Sequence, residues 1–221
     1  MPKKDNKTWL SHSGIEGMKR CPRCFWLQYK KGIRQPEGIV SRLANRFDKV
    51  IKNYFDIYRE IRELPPMIEG QVDGKLENPF TETYFYHYDD KYGLYGKLDD
   101  CLETSDGRHT PIDHKTSSSD PRQRETLSAY QSQLDAYSFL LELNKKKTSG
   151  LGHLIYFYPQ EGDKLHDGFP MLVFVQTLKT NPENTRKDLL KAIEILEGDM
   201  PFPSKDCPFC SWYDKVKDEF K

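Results

Sequence analysis

Two C-x-x-C pairs stand near opposite ends of this 221-residue chain, Cys21-Pro-Arg-Cys24 and Cys207-Pro-Phe-Cys210. Four thiolates suit a tetrahedral zinc ion or an iron-sulfur cluster. Filling either one from both pairs obliges the two end segments to meet. The wide separation is unlike a zinc ribbon, whose pairs lie close in sequence. Closing so long a loop removes much conformational freedom from the unfolded chain, so the expected role is a structural clamp and not a cleavage centre. Cys101 is left over on a strand pattern, where a free thiol packs as a small apolar side chain.

The length suits one sizeable domain, and 36% hydrophobic with 31% charged residues is the composition of a globular chain with a core of its own. No apolar run approaches the roughly 20 residues of a membrane helix. The start, MPKKDNKTWLSHSG, has basic residues but no apolar stretch or small-residue cleavage site, so a cytoplasmic location is expected and disulfides are not.

Lys+Arg 34 balance Asp+Glu 34, which argues against a generally sticky basic protein. The charge is unevenly placed. Residues 1–34 hold nine basic side chains (Lys3, Lys4, Lys7, Lys19, Arg20, Arg23, Lys30, Lys31 and Arg34) against Asp5 and Glu16. Residues 69–106 hold ten carboxylates against Lys75, Lys91 and Lys97. A basic edge beside an acidic centre suits a polyanion held near a cation site, although segregated solvated faces give the same pattern.

The periodicity predicts an α/β chain. Ser13-Gly14-Ile15-Glu16 has capping-box spacing and predicts a short helix toward Phe25, with Cys21 and Cys24 near its end. From Val40, apolar residues at Leu43, Phe47, Val50, Ile51, Tyr54 and Tyr58 mark a long helix ending before Pro65-Pro66, with Asp48 beside its stripe and facing inward. Residues 82–115 read as three antiparallel strands separated by turns at Asp89-Asp90 and Ser105-Asp106-Gly107. Asp120 is expected to cap a helix starting at Pro121, with Leu127, Tyr130, Leu134, Tyr137 and Leu141 on its apolar face. Strands at 152–158 and 171–177 precede a helix opened by Asn181-Pro182 and closed at Gly198. The order fits a mixed sheet flanked by helices.

Asp113 and Lys115 are two apart on a predicted strand, so their side chains share one face while His114 takes the other. Pairing with Gly96-Lys97-Leu98-Asp99 can bring the Asp99 carboxylate toward Asp113. Two hard oxygen ligands suit Mg²⁺ or Mn²⁺. Such an ion polarises a phosphodiester and acidifies a bound water, while Lys115 orients that water or neutralises charge on the phosphoryl oxygens. An isolated D-x-K is more often an ordinary cross-strand pair. The neighbouring segments change that balance.

Residues 9–29 (WLSHSGIEGMKRCPRCFWLQY), G-K-L-D at 96–99, I-D-H-K-T at 112–116 and Q-L-D-A-Y at 133–137 resemble, in order and spacing, the RecB-like branch of the PD-(D/E)XK nuclease superfamily. The resemblance covers nearly the whole chain and implies a restriction-endonuclease-like core. It implies Asp99, Asp113 and the His114 carbonyl as metal ligands and Lys115 as the catalytic lysine. It further implies Gln133 and Tyr137 as the family's Q-x-x-x-Y pair, which the i, i+4 spacing puts on one helical face. RecB-like nucleases place a histidine ligand on the long first core helix; here Asp48 stands in that place, a carboxylate that suits the same hard ion. Relatives in the branch, including CRISPR-associated RecB-like exonucleases and the AddB nuclease domain, staple their termini with a 4Fe-4S cluster on one N-terminal and three C-terminal cysteines. Here the pattern is two and two, so zinc stands beside the cluster.

The expectation is therefore one nuclease-like domain over 1–221, with segments 1–34 and 199–221 forming the cysteine site. Its function would be metal-dependent hydrolysis of DNA at ends or single strands, with a protein partner in a DNA-processing complex. Trp9, Trp26, Tyr29, Tyr92 and Tyr95 are candidates for stacking on unpaired bases, with core packing as their commoner role. The alternative is a nuclease-fold module that grips nucleic acid or protein without cutting.

Overall fold

The computed structural model describes residues 6–36, 42–162, 168 and 170–220. Lys3, Lys4 and Asp5 of the basic stretch, and Val40 of the expected helix, lie outside the described residues.

Strand β1 (Thr8–Ser11) leads into α1 (His12–Arg20), which is capped two residues earlier than the sequence suggests. Ser11, not Ser13, accepts from Gly14 N at 3.2 Å, and Glu16 pairs with Lys19 at 2.8 Å. Nor does α1 run on to Phe25. Cys21 is extended (φ −158, ψ 107), and Pro22, suited to a first helical position, starts α2 (Pro22–Lys31). Gly32, in the left-handed region at φ 68, ends it.

Helix α3 (Arg42–Ile61) is followed by β2 (Lys75–Leu76), β3 (Thr83–His87), β4 (Tyr92–Lys97), β5 (Asp100–Glu103) and β6 (His109–Thr116). Residues 82–115 thus hold four strands, not three, because the chain breaks at Leu98-Asp99 and changes sheet. Asp120 does cap at Pro121, but what it caps is a single 3₁₀ turn (Pro121–Gln123); the helix proper, α4, is Ser128–Leu143. Then come β7 (Leu151–Pro159), β8 (Met171–Lys179), α5 (Pro182–Glu197) and α6 (Pro208–Val216).

The chain forms two compact units. The first takes Met1–Val40, Phe85–Tyr95 and Asn184–Lys221. In it β1 lies parallel to β4, with Leu10 beside Leu94, and Trp9 stands edge-on to Phe85 at 5.3 Å. Tyr92 is buried and donates to Glu197 at 2.8 Å, and Trp26 Nε1 donates to the Gly198 carbonyl at 3.1 Å.

The second unit, Ser41–Tyr84 with Gly96–Glu183, is built on a mixed sheet in the order β2-β5-β6-β7-β8. β6 and β7 are parallel, joined by a crossover through α4, and the remaining pairs are antiparallel. One face of this sheet carries Leu102, Ile112, Ile155 and Phe157, which pack with Ile51, Phe55, Ile68 and Leu76 into a core. Burying each such side chain contributes about 1.5–3 kcal/mol. The inward line of α3 is Phe47-Ile51-Phe55, so Leu43 and Val50, expected inside, are exposed. On the opposite face α4 is buried continuously from Leu134 to Leu141, Asp135 and Ser138 included. Gly152 on β7 eases that approach: a Cβ there would stand 3.1 Å from Leu134 Cδ1.

Candidate active site

Alternation along β6 assigns each motif side chain to a face. Ile112 and His114 point to the α3 side, Asp113 and Lys115 to the α4 side, as the spacing predicts. Both ring nitrogens of His114 are buried, and its ring lies 4.4 Å from that of Phe55. Neither ring nitrogen has a hydrogen-bond partner, and burial drives its pKa down to about 4. The imidazole is a neutral core ring, which leaves only its main chain for the site.

On the α4 side, four residues close a ring of polar contacts. Lys115 Nζ pairs with Asp113 Oδ2 and donates to Gln133 Oε1 at 2.9 Å. Gln133 Nε2 donates to Tyr137 Oη at 2.6 Å, and Tyr137 Oη donates to Asp113 Oδ1 at 3.4 Å. One helical turn separates the amide from the phenol, which is why α4 can offer both to one strand. Burial pushes Asp113 up to about 6, with Asp99 adding repulsion and Lys115 opposing it. Burial likewise raises the Tyr137 phenol, which stays protonated and able to donate.

Asp99, just after β4, is held from two sides. Its Oδ2 accepts from His114 N at 3.0 Å and its Oδ1 lies 2.9 Å from Lys52 Nζ. Burial raises its carboxyl, but the Lys52 ammonium and the His114 N–H outweigh that and leave it below the ordinary range. Its neighbour Asp100 makes a two-pronged pair with Arg59 of α3 at 2.9 and 3.0 Å, which pins the start of β5.

Asp48 is corrected by the structure: its side chain is 51% exposed and 3.1 Å from Lys52 Nζ, not turned inward. Among the described residues, the side chains of Asp48, Asp99 and Asp113 are not all gathered within 4.8 Å. Lys52 is the residue that sequence reasoning missed. Its signal was the i, i+4 spacing from Asp48 on a helix already placed. Tyr130 was read only as apolar, yet its ring lies 4.4 Å beneath Lys115 Nζ. It also lines a cavity of about 330 Å³ with Ser117, Ser118, Arg124 and Tyr156.

The four cysteines converge within the first unit. Cys21 and Cys207 are the N-cap residues of α2 and α6, each followed by proline, so both C-P-x-C segments start a helix in the same way. Their sulfurs lie 3.8 Å (Cys21 to Cys210), 3.6 Å (Cys24 to Cys207) and 3.5 Å (Cys24 to Cys210) apart. Burial pushes Cys24 up to about 11. At Cys21, backbone donors overcome burial and bring the thiol down to about 7. Helix N-termini favour thiolates, so this cluster is able to bind a metal ion. Cys101, in β5, is fully buried.

Among the described residues, no helix is long and apolar enough to cross a membrane. No curated protein matches the chain. Among solved structures it is similar to a phage-related exonuclease from Haemophilus somnus 129PT, with 12% identity over 90% of this chain and 82% of that one and a TM-score of 0.46. It is also similar to an alkaline exonuclease from Laribacter hongkongensis, with 7% identity, 98% and 96% coverage and a TM-score of 0.45. The profile of one family spans residues 43–214, from the start of α3 through the Asp113-His114-Lys115 strand and the Gln133–Tyr137 turn into α6. On that match, the chain belongs to the PD-(D/E)XK nuclease superfamily.

Proposed function

We propose that this protein is a RecB-like, divalent-metal-dependent deoxyribonuclease acting on DNA ends or single strands, and that residues 1–221 work as one nuclease-like domain. The observation that carries the reading is the closed ring of Asp113, Lys115, Gln133 and Tyr137 with Asp99 bound to the His114 N–H beside it.

The donor set fits a hard cation. It is all oxygen, and Asp99 raises the cost of ionising Asp113. The Lys52 ammonium resting on Asp99 Oδ1 indicates that this oxygen is open to a positive charge. Asp99, Asp113 and the His114 carbonyl are the ligands proposed for Mg²⁺ or Mn²⁺, with Asp48 as an additional one. Such an ion supplies charge neutralisation at the phosphodiester and a lowered pKa for bound water. Lys115 orients the attacking water or faces the phosphoryl oxygens, where its ammonium offsets developing negative charge. Gln133 holds that ammonium in place, and Tyr137 fixes the rotation of the Asp113 carboxylate. The 330 Å³ cavity under Tyr130 has the size of a small-ligand pocket, with hydroxyls and Arg124 suited to a terminal nucleotide.

At the cysteines, sulfur separations of 3.5–3.8 Å approach the roughly 3.8 Å edge of a tetrahedron with 2.3 Å zinc–sulfur bonds. That favours a single zinc-type ion. A 4Fe-4S cluster, the alternative, spreads its thiolates over four irons and would need the sulfurs to move apart. The absorption spectrum of anaerobic protein separates the two.

The deciding experiment is cleavage of labelled single-stranded and duplex DNA with Mg²⁺ or Mn²⁺, for the natural protein and Lys115→Ala. Metal-dependent cutting lost in the variant supports the reading. DNA binding without cutting, alike in both proteins, selects a binding module instead.

A further inference from the structure

A second group of metal-ligating side chains lies in the second unit, on the same face of the sheet as Asp113. Glu77, just past β2, Cys101 on β5 and His109 at the start of β6 each bring one donor atom to within 4.8 Å of the other two. Asp113 is four residues beyond His109 on the same strand, about 13 Å away at 3.3 Å per residue, so the two groups are distinct.

Main-chain hydrogen bonds fix all three positions. Glu77 N donates to the Cys101 carbonyl at 2.9 Å, and β5 and β6 pair so that Cys101 lies opposite Pro111. His109 N donates to the Lys147 carbonyl at 2.8 Å, and Ser149 N returns a bond to the His109 carbonyl at 2.9 Å. The side chains are held in place before any ligand arrives.

Their polar atoms are not satisfied by one another. Glu77 is 6% exposed; its Oε1 pairs with Lys146, but Oε2 is buried with no hydrogen-bond partner. His109 Nδ1 is also buried without one, and it faces Glu77 Oε2 at 3.8 Å, too long for a hydrogen bond. Leaving two such atoms opposed and unbonded is unfavourable, because each has given up its water without gaining a partner. Zinc–nitrogen and zinc–oxygen bonds near 2.1 Å at the tetrahedral angle put two ligand atoms about 3.4 Å apart, so a small relaxation seats both on one ion. Burial lowers the His109 pKa, leaving the imidazole neutral with a lone pair to give. Cys101, whose thiol now donates to the Leu102 carbonyl at 3.6 Å, would bind as the thiolate with its proton released to solvent, and one thiolate, one imidazole and one carboxylate make a mixed set that suits a borderline ion and not a hard one.

We propose that Glu77, Cys101 and His109 form a structural site for a zinc-class divalent ion, separate from the aspartate site and from the four cysteines. Such an ion ties the segment after β2 to the β5–β6 hairpin, which carries Asp113 and directly follows Asp99.

The test is the zinc content of protein dialysed against zinc, by elemental analysis, for the natural chain, Cys101→Ser and His109→Gln. The site predicts the loss of one equivalent per chain in either variant. Equal content in all three overturns the proposal. Should both variants fail to fold, crystals of the natural protein grown with zinc and measured across the zinc absorption edge decide it. An anomalous peak between Glu77 Oε2 and His109 Nδ1 supports the site, and no peak there overturns it.

Discussion

Lys115 Nζ donates to Gln133 Oε1 across 2.9 Å, linking a strand to the helix that covers it. The ammonium is held on three sides, by this amide, by Asp113 Oδ2 and by the Tyr130 ring. A side chain fixed in this way loses little freedom when a phosphate arrives. Lys115→Ala is expected to lower the cleavage rate on the order of 10²–10³-fold, as removal of a preorganised charge does. Gln133→Leu keeps the charge but loosens it, and a fall of about tenfold in kcat with KM little changed is expected. Steady-state cleavage assays check both; a KM effect alone would make Gln133 a binding residue.

Lys52 occupies the carboxylate oxygens that the proposed ion needs, at 2.9 Å from Asp99 and 3.1 Å from Asp48. Two like charges about 4 Å apart repel by about 4 kcal/mol at an effective dielectric of 20, before screening. Lys52→Met is therefore expected to lower the Mg²⁺ concentration for half-maximal cleavage, by about threefold or more. A raised requirement would mean that Lys52 serves the reaction itself.

The cysteine cluster joins segments more than 180 positions apart in sequence, by its Cys21–Cys210 and Cys24–Cys207 contacts. Cys207→Ser is expected to lose the bound metal and thermal stability together. A loss of about 3 kcal/mol moves Tm by roughly 6–12 °C in a chain of this length. Metal analysis beside a melting curve checks it, and an unchanged Tm would remove the clamp role.

His153 is buried on β7, with Nδ1 2.9 Å from Thr177 Oγ1, and burial drives its pKa down to about 4. Unfolded, it titrates near 6.5, so between these values the unfolded chain binds the extra proton and stability falls as pH drops. The contribution is fully present above pH 6.5 and is lost toward pH 4, amounting to about 3 kcal/mol at most. His114, lowered in the same way, acts in the same window. Denaturant unfolding across pH 4–7 should therefore show a shallower acid loss for His153→Gln than for the natural protein. Parallel curves would contradict it.

Much of this was legible in the chain because it is local. Period two put Asp113 and Lys115 on one strand face and period 3.6 put Gln133 and Tyr137 on one helix face, whereas the helix starts at Pro22 and Pro208 beside the cysteines were not read from the chain. What stayed hidden depends on pairings that no local pattern encodes. The rotation of α3 was misread because its apolar residues exceed what one face can bury, and only packing on Phe157 and Ile112 chose Ile51 and Phe55 over Leu43 and Val50. That rotation turned Asp48 to solvent and brought Lys52 to Asp99. The strand count failed at Leu98-Asp99 because a change of sheet is set by the partner strand, not by the residues that make it. The Glu77, Cys101 and His109 group was invisible for the same reason: three strands must pair in register before those atoms meet. Sequence decides which groups a chain can offer on each element, and the tertiary register decides which of them share a point in space.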